Sequence, residues 1–125
     1  MRLEALVGGS AEVIGSETLL RRAAAVMVEA KVEALAVVDG RKLVGIFTDR
    51  DLTRAVAGSA DLDDDPVSQW MSESPDTFPP DVRVGEAAQW LIEMGYRHLP
   101  VMDDDELLGI VDIKDLLWAI VIDNA

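Results

Sequence analysis

Two short stretches carry the residue types that can do chemistry, Thr48-Asp49-Arg50-Asp51 and Asp112-Ile113-Lys114-Asp115. Each follows a β-branched run and opens a helical one. Thr48 therefore stands at a strand end, and Asp51 in the first turn of the next helix. Exposed N–H groups and the positive end of the helix dipole favour an anion at such a place. A carboxylate offers two acceptor oxygens, which suit the vicinal hydroxyls of a sugar. The same spacing also fits a variant of the capping box, whose usual fourth residue is Glu or Gln. Thr48-x-x-Asp51 and Asp112-x-x-Asp115 can each be read as a helix cap alone.

The elements that position these residues occur twice. Residues 23–55 realign without a gap on residues 87–119, at a constant shift of 64. Leu35, Val37, Asp39, Gly45, Ile46, Asp51, Leu52 and Ala55 each find an identical partner. A repeat of this length sets the architecture, because each copy is a supersecondary unit seeking a neighbour. Each copy reads as strand, helix, strand, strand, helix. Leu19, Ala23, Val26, Met27 and Ala30 form one apolar face of a helix over residues 16–31. Residues 35–38 and 43–47 read as strands around the turn Asp39-Gly40, followed by a helix over 49–57 that Gly58 ends. The second copy predicts a helix over 83–94, strands over 99–102 and 107–111, and a closing helix over 113–122. Val13-Ile14 and Thr77-Phe78 stand at matching places and predict a short extra strand each. Gly45 and Gly109 interrupt β-branched runs, consistent with close backbone approach or a bulge. Residues 59–65 form a polar, acidic linker, and a short helix over 67–71 follows Pro66. The expected division is a first repeat over 1–60, a linker and short helix over 61–70, and a second repeat over 71–125.

Composition removes several function classes. The 125 residues carry a formal net charge of −13, contain no cysteine and are 50% hydrophobic. That charge opposes nucleic-acid binding, which rests on phosphate neutralisation, and docking on anionic lipid. The longest apolar run, residues 116–122, is too short to span a bilayer, so no membrane insertion and a soluble, cytoplasmic location are expected. Without cysteine there is neither disulfide nor thiol chemistry. With a single histidine and no phosphate-binding loop or nucleophile elbow, catalysis is not expected. Asp61, Asp63 and Asp65 follow the first positions of a calcium loop, but Pro66 replaces the needed glycine and Glu73 falls one residue late. They read as a solvated acidic linker, and no metal site is assigned, although a weak magnesium site there or at the turn Asp103-Asp104-Asp105-Glu106 stays open. The closing helix, residues 116–122, is apolar nearly all round and must be covered, in part by the core, with a symmetric dimer contact through this helix and the first long helix expected to cover the rest.

The order of these motifs, in tandem, resembles the CBS domain, named for cystathionine β-synthase. Gly45-Ile46-Phe47-Thr48-Asp49-Arg50-Asp51 matches its ribose motif, and Arg97-His98-Leu99-Pro100-Val101-Met102-Asp103 its central strand. Met71-Ser72-Glu73-Ser74-Pro75 resembles its lead-in segment, with Val7-Gly8-Gly9 a degenerate counterpart. The resemblance implies an α/β (α+β) fold of two β-α-β-β-α repeats packed with pseudo-twofold symmetry, a Bateman module. It also implies a regulatory module that binds an adenosine nucleotide, AMP, ADP or ATP, in the cleft between the repeats. Such pairs form homodimers, and an effector protein would act in trans. Transferred residue by residue, Thr48 and Asp51 would hold the ribose, with Ile46 and Arg50 beside them. Arg97 and His98 would reach the phosphates, and a phosphate contact at His98 would weaken as pH rises past neutrality. The second site, Asp112, Lys114 and Asp115, is expected to be degenerate. Asp112 replaces the hydroxyl and would repel phosphate, while Glu33 and Ala34 stand where the other copy has Arg97 and His98. Alternatives are a structural dimer without nucleotide, or a module binding S-adenosylmethionine, NAD or Mg2+.

Overall fold

A computed structural model describes residues 1–8 and 11–124, so Gly9 of the degenerate lead-in lies outside the described residues. The chain forms two compact units. The central unit is Glu12–Pro75, and the terminal unit joins Met1–Ala11 to Asp76–Ala125.

In the central unit, β1 (Val13–Ile14) lies parallel to β2 (Ala34–Asp39), which pairs antiparallel with β3 (Lys42–Thr48). The edge strand β4 (Ser72–Glu73) pairs with β3 at Gly45 and Ile46. The helices are α1 (Leu20–Ala30) and α2 (Asp49–Ala57). β2 is buried at Ala34, Leu35, Ala36 and Val37 in succession, as a strand covered on both faces must be. Phe47, Leu20 and Val67 are fully buried in the same core.

The terminal unit repeats this with α3 (Val84–Met94), β5 (His98–Asp103), β6 (Glu106–Asp112) and α4 (Ile113–Asn124). Its counterpart of β1 is reduced to one parallel bridge, Phe78 to Val101, so Thr77 is not part of a strand. Leu3, Leu91, Leu99 and Leu116 fill its core. Phe78, Trp90 and Tyr96 pack in sequence, with ring centroids 5.2 and 5.9 Å apart. Trp90 is thus a packing residue.

The compact units are not the sequence repeats themselves, for a reason found in the backbone hydrogen bonds. The acidic linker folds onto α1. The Leu20 and Arg21 amides, unsatisfied within the helix, donate to the carbonyls of Asp65 and Leu62 at 3.0 and 2.9 Å. This shortens the helix from the expected start at 16, since Leu19 is already extended. Val67 N–H then donates to the Thr18 carbonyl at 2.8 Å. The register-equivalent bonds in the terminal unit come from the chain's first residues. Val84 N–H donates to the Met1 carbonyl at 3.0 Å, and Leu3 N–H to the Val82 carbonyl at 2.9 Å. A 3-10 turn at Leu3–Ala5 matches one at Val67–Gln69, where a short helix over 67–71 is expected from the sequence. Each lead-in segment therefore completes the core of the copy that does not directly follow it.

Both strand glycines accommodate these segments. A Cβ at Gly45 would stand 2.6 Å from Met71 Sδ and 2.9 Å from the Ser72 carbonyl. One at Gly109 would stand 3.0 Å from Val7 Cγ1. Close approach holds at both glycines, and so does the bulge: the strand register shifts beside each, between Val37 and Val38 opposite Gly45 and between Val101 and Met102 opposite Gly109.

Candidate functional site

In the central unit β3 ends at Thr48, and α2 begins one residue later. Thr48 is the N-cap residue. Its Oγ1 accepts from Asp51 N–H at 3.3 Å, and Asp51 Oδ2 accepts from Thr48 N–H at 2.9 Å. The capping box read from the sequence is present with aspartate as its fourth residue. The Glu33 carbonyl, just before β2, accepts the Asp49 N–H at 3.0 Å and fixes where the helix begins.

Asp51 is 5% exposed, a charged residue as buried as the core around it. A buried carboxylate is costly unless it is paired. Arg54, one helical turn on, donates from Nη1 to Asp51 Oδ1 at 2.7 Å. Each carboxylate oxygen thus takes one protein donor and keeps a second lone pair for a ligand. The Arg54 guanidinium in turn lies 5.9 Å from the Trp70 ring centroid. Ile46 is buried in β3 between Ala36 and Ser72, and Arg50 is exposed on α2.

In the terminal unit the matching residues are arranged differently. Asp112 Oδ1 accepts the Lys114 N–H at 2.7 Å, and Asp115 Oδ2 accepts the Asp112 N–H at a longer 3.3 Å. Asp115 is exposed, as is Lys114, and Trp118 takes the place of Arg54. His98 and Asp112 face each other across β5 and β6, as Ala34 and Thr48 do across β2 and β3. The His98 side chain is 7% exposed, and its Nε2 lies 3.0 Å from Asp112 Oδ2. Arg97 is exposed, and its carbonyl accepts the Ile113 N–H at 2.8 Å, the counterpart of the Glu33 bond.

The structure brings Thr48, Asp51 and Ile46 together on one strand–helix corner, and His98, Asp112, Lys114 and Asp115 on another. Arg54 and Trp70 escape a motif-based reading. The signal for Arg54 was its three-residue spacing from Asp51 on a helix, where opposite charges meet. The acidic linker is a built loop. Asp61 accepts from Asp63 N–H at 3.0 Å, Asp65 accepts from Asp61 N–H at 2.8 Å, and Asp63 pairs with Arg21 at 2.5 Å. These carboxylates are engaged in holding the loop against α1.

Two copies of one mixed α/β fold, each with a capped aspartate after a Gly-Ile strand, define a tandem repeat of the CBS type. The CBS domain family matches residues 10–58 and 67–122, and the chain belongs to it as a tandem CBS pair. A CBS domain-containing protein of Arabidopsis thaliana, CBSCBSPB5, is 34% identical over 107 residues, covering 84% of this chain. The chain spans 20% of that protein's length. The solved structure of a protein with CBS domains from Burkholderia ambifaria superposes with a TM-score of 0.93 at 26% identity, over 100% of this chain and 97% of that one. The CBS domain protein PAE2072 of Pyrobaculum aerophilum, solved in complex with AMP, gives 0.89 at 25% identity over 98% and 97%. No helix among the described residues is long and apolar enough to cross a membrane.

Proposed function

We propose that this chain is a regulatory module that binds an adenosine nucleotide, with the ribose on Asp51 and Thr48. The observation that carries this reading is the state of the Asp51 carboxylate. It is buried, held through both oxygens, and placed at the N-terminus of α2. Two fixed acceptors match two vicinal hydroxyls, and the helix N-terminus favours the phosphate side of a nucleotide. The AMP complex of the Pyrobaculum aerophilum protein supports the ligand class. Arg97 remains the proposed phosphate ligand. His98 is the weaker of the two, since its imidazole already faces Asp112.

The second motif is proposed to be degenerate. Asp115 is exposed, its hydrogen bond to the Asp112 amide is long, and Asp112 adds a negative charge where Thr48 has a hydroxyl. Nucleotide binding shifts the population of conformations, and an effector protein reads the shift. A homodimer through α4 completes the reading.

Titration calorimetry with AMP, ADP and ATP tests it. One equivalent of nucleotide is expected to bind the wild-type chain, Asp51→Asn to lose most of the affinity, and Asp115→Asn to keep it. Binding that survives Asp51→Asn and is lost in Asp115→Asn would reverse the assignment.

A further inference from the structure

We infer that Arg54 is a positioning residue that makes the first of the two motif aspartates a fixed ligand acceptor, with Trp70 bracing it. This deepens the nucleotide reading above and rests on it. Asp51 Oδ1 has a protein donor in Arg54 Nη1, at 2.7 Å, while the backbone cap holds only Oδ2. Without Arg54 the carboxylate is free to turn about its last torsion, and its two acceptors lose their fixed spacing.

The guanidinium is itself held in place. It lies over the Trp70 ring, and Trp70 packs where a Cβ on Gly58 would stand 2.6 Å from its ring. Gly58 is therefore the residue that admits the brace. Arg54, Gly58 and Trp70 have Trp118, Ile122 and Leu6 as their register equivalents in the terminal unit. None of the three can donate a charged hydrogen bond or stack as this set does. Asp115, which lacks the set, is exposed where Asp51 is buried. The difference between the two motifs thus extends beyond Thr48 and Asp112 to a side chain outside both.

The contact from Arg54 is monodentate, so an ammonium group can reproduce it. Loss of one charge-assisted bond predicts a roughly tenfold weaker nucleotide affinity in Arg54→Gln, and Arg54→Lys recovers most of it. Calorimetry on the wild type, both Arg54 variants and Asp51→Asn reads this, with melting temperatures recorded alongside. A crystal structure of Arg54→Gln without nucleotide reads the positioning step alone, and Asp51 Oδ1 is expected to leave its wild-type place. If Arg54→Gln binds as the wild type does, or if Arg54→Lys is as weak as Arg54→Gln, Arg54 does not position the acceptor. An unmoved Asp51 carboxylate in the Arg54→Gln crystal overturns the inference even where the wild type binds no nucleotide. A wild type that binds no adenosine ligand sinks the functional reading by itself.

Discussion

At the scale of single residues, the two copies differ in how they treat the same aspartate. Asp51 is buried and held by Thr48 and Arg54, whereas Asp115 is exposed. Thr48 serves both the helix and the proposed ligand, so its loss has two readable effects. Thr48→Ala removes an N-cap acceptor and should cost about 1 kcal/mol of stability by chemical denaturation. Asp39 offers a second comparison. Its carboxylate is held below the ordinary value of 3.8, first by the Ser16 hydroxyl and then by the Ser16 N–H. A folded value below the unfolded one stabilises the fold at pH above the unfolded value, and that contribution disappears as pH falls through the folded value. In Ser16→Ala the Asp39 titration, followed by NMR, is expected to move up toward the ordinary value. An unmoved midpoint would show that the hydroxyl does not hold the carboxylate. In the second copy Pro80 stands at the place of Ser16 and offers neither hydroxyl nor N–H.

At the scale of elements, the exchanged lead-in segments govern stability. Leu3 and Val67 are both fully buried, each in the unit that its own copy does not supply. Leu3→Ala should cost about 2–5 kcal/mol, the usual range for emptying a buried leucine site. Hydrogen exchange should show the loss in α3, β5 and β6, while α1, β2 and β3 keep their protection. Equal loss in both sets would contradict separate cores. Gly45→Ala presses on Met71 and the Ser72 carbonyl and is expected to release β4, at about 1–3 kcal/mol. The hairpins and long helices were legible because a period of two or of 3.6 declares itself locally. Where residues 1–7 and 65–71 dock was not legible, since their carbonyls meet the amides of Val84 and Leu20 only on folding. The same holds at the site. Thr48, Asp51 and the cap were readable from four residues, but Trp70 meets Arg54 only because the linker folds back.

At the scale of the whole molecule, one helix carries four exposed large apolar side chains. Leu117, Trp118, Val121 and Ile122 of α4 are between 48% and 66% exposed, whereas Leu116 and Ala119 face the core. Their counterparts on and after α2 are Thr53, Arg54, Ala57 and Gly58. A contiguous exposed apolar face on a chain of net charge −13 is the mark of an interaction surface. Trp118→Glu is accordingly expected to convert the proposed homodimer to monomer in light scattering coupled to size exclusion, and an unchanged mass would place the contact elsewhere. Whether the first copy holds the ribose on Asp51 is read from a crystal structure with the tightest-binding adenosine nucleotide. Both ribose hydroxyls are expected within hydrogen-bond distance of Asp51 Oδ1 and Oδ2, with Arg54 still on Oδ1. A nucleotide seated on Asp115, or one whose ribose leaves Asp51 untouched, would contradict that placement.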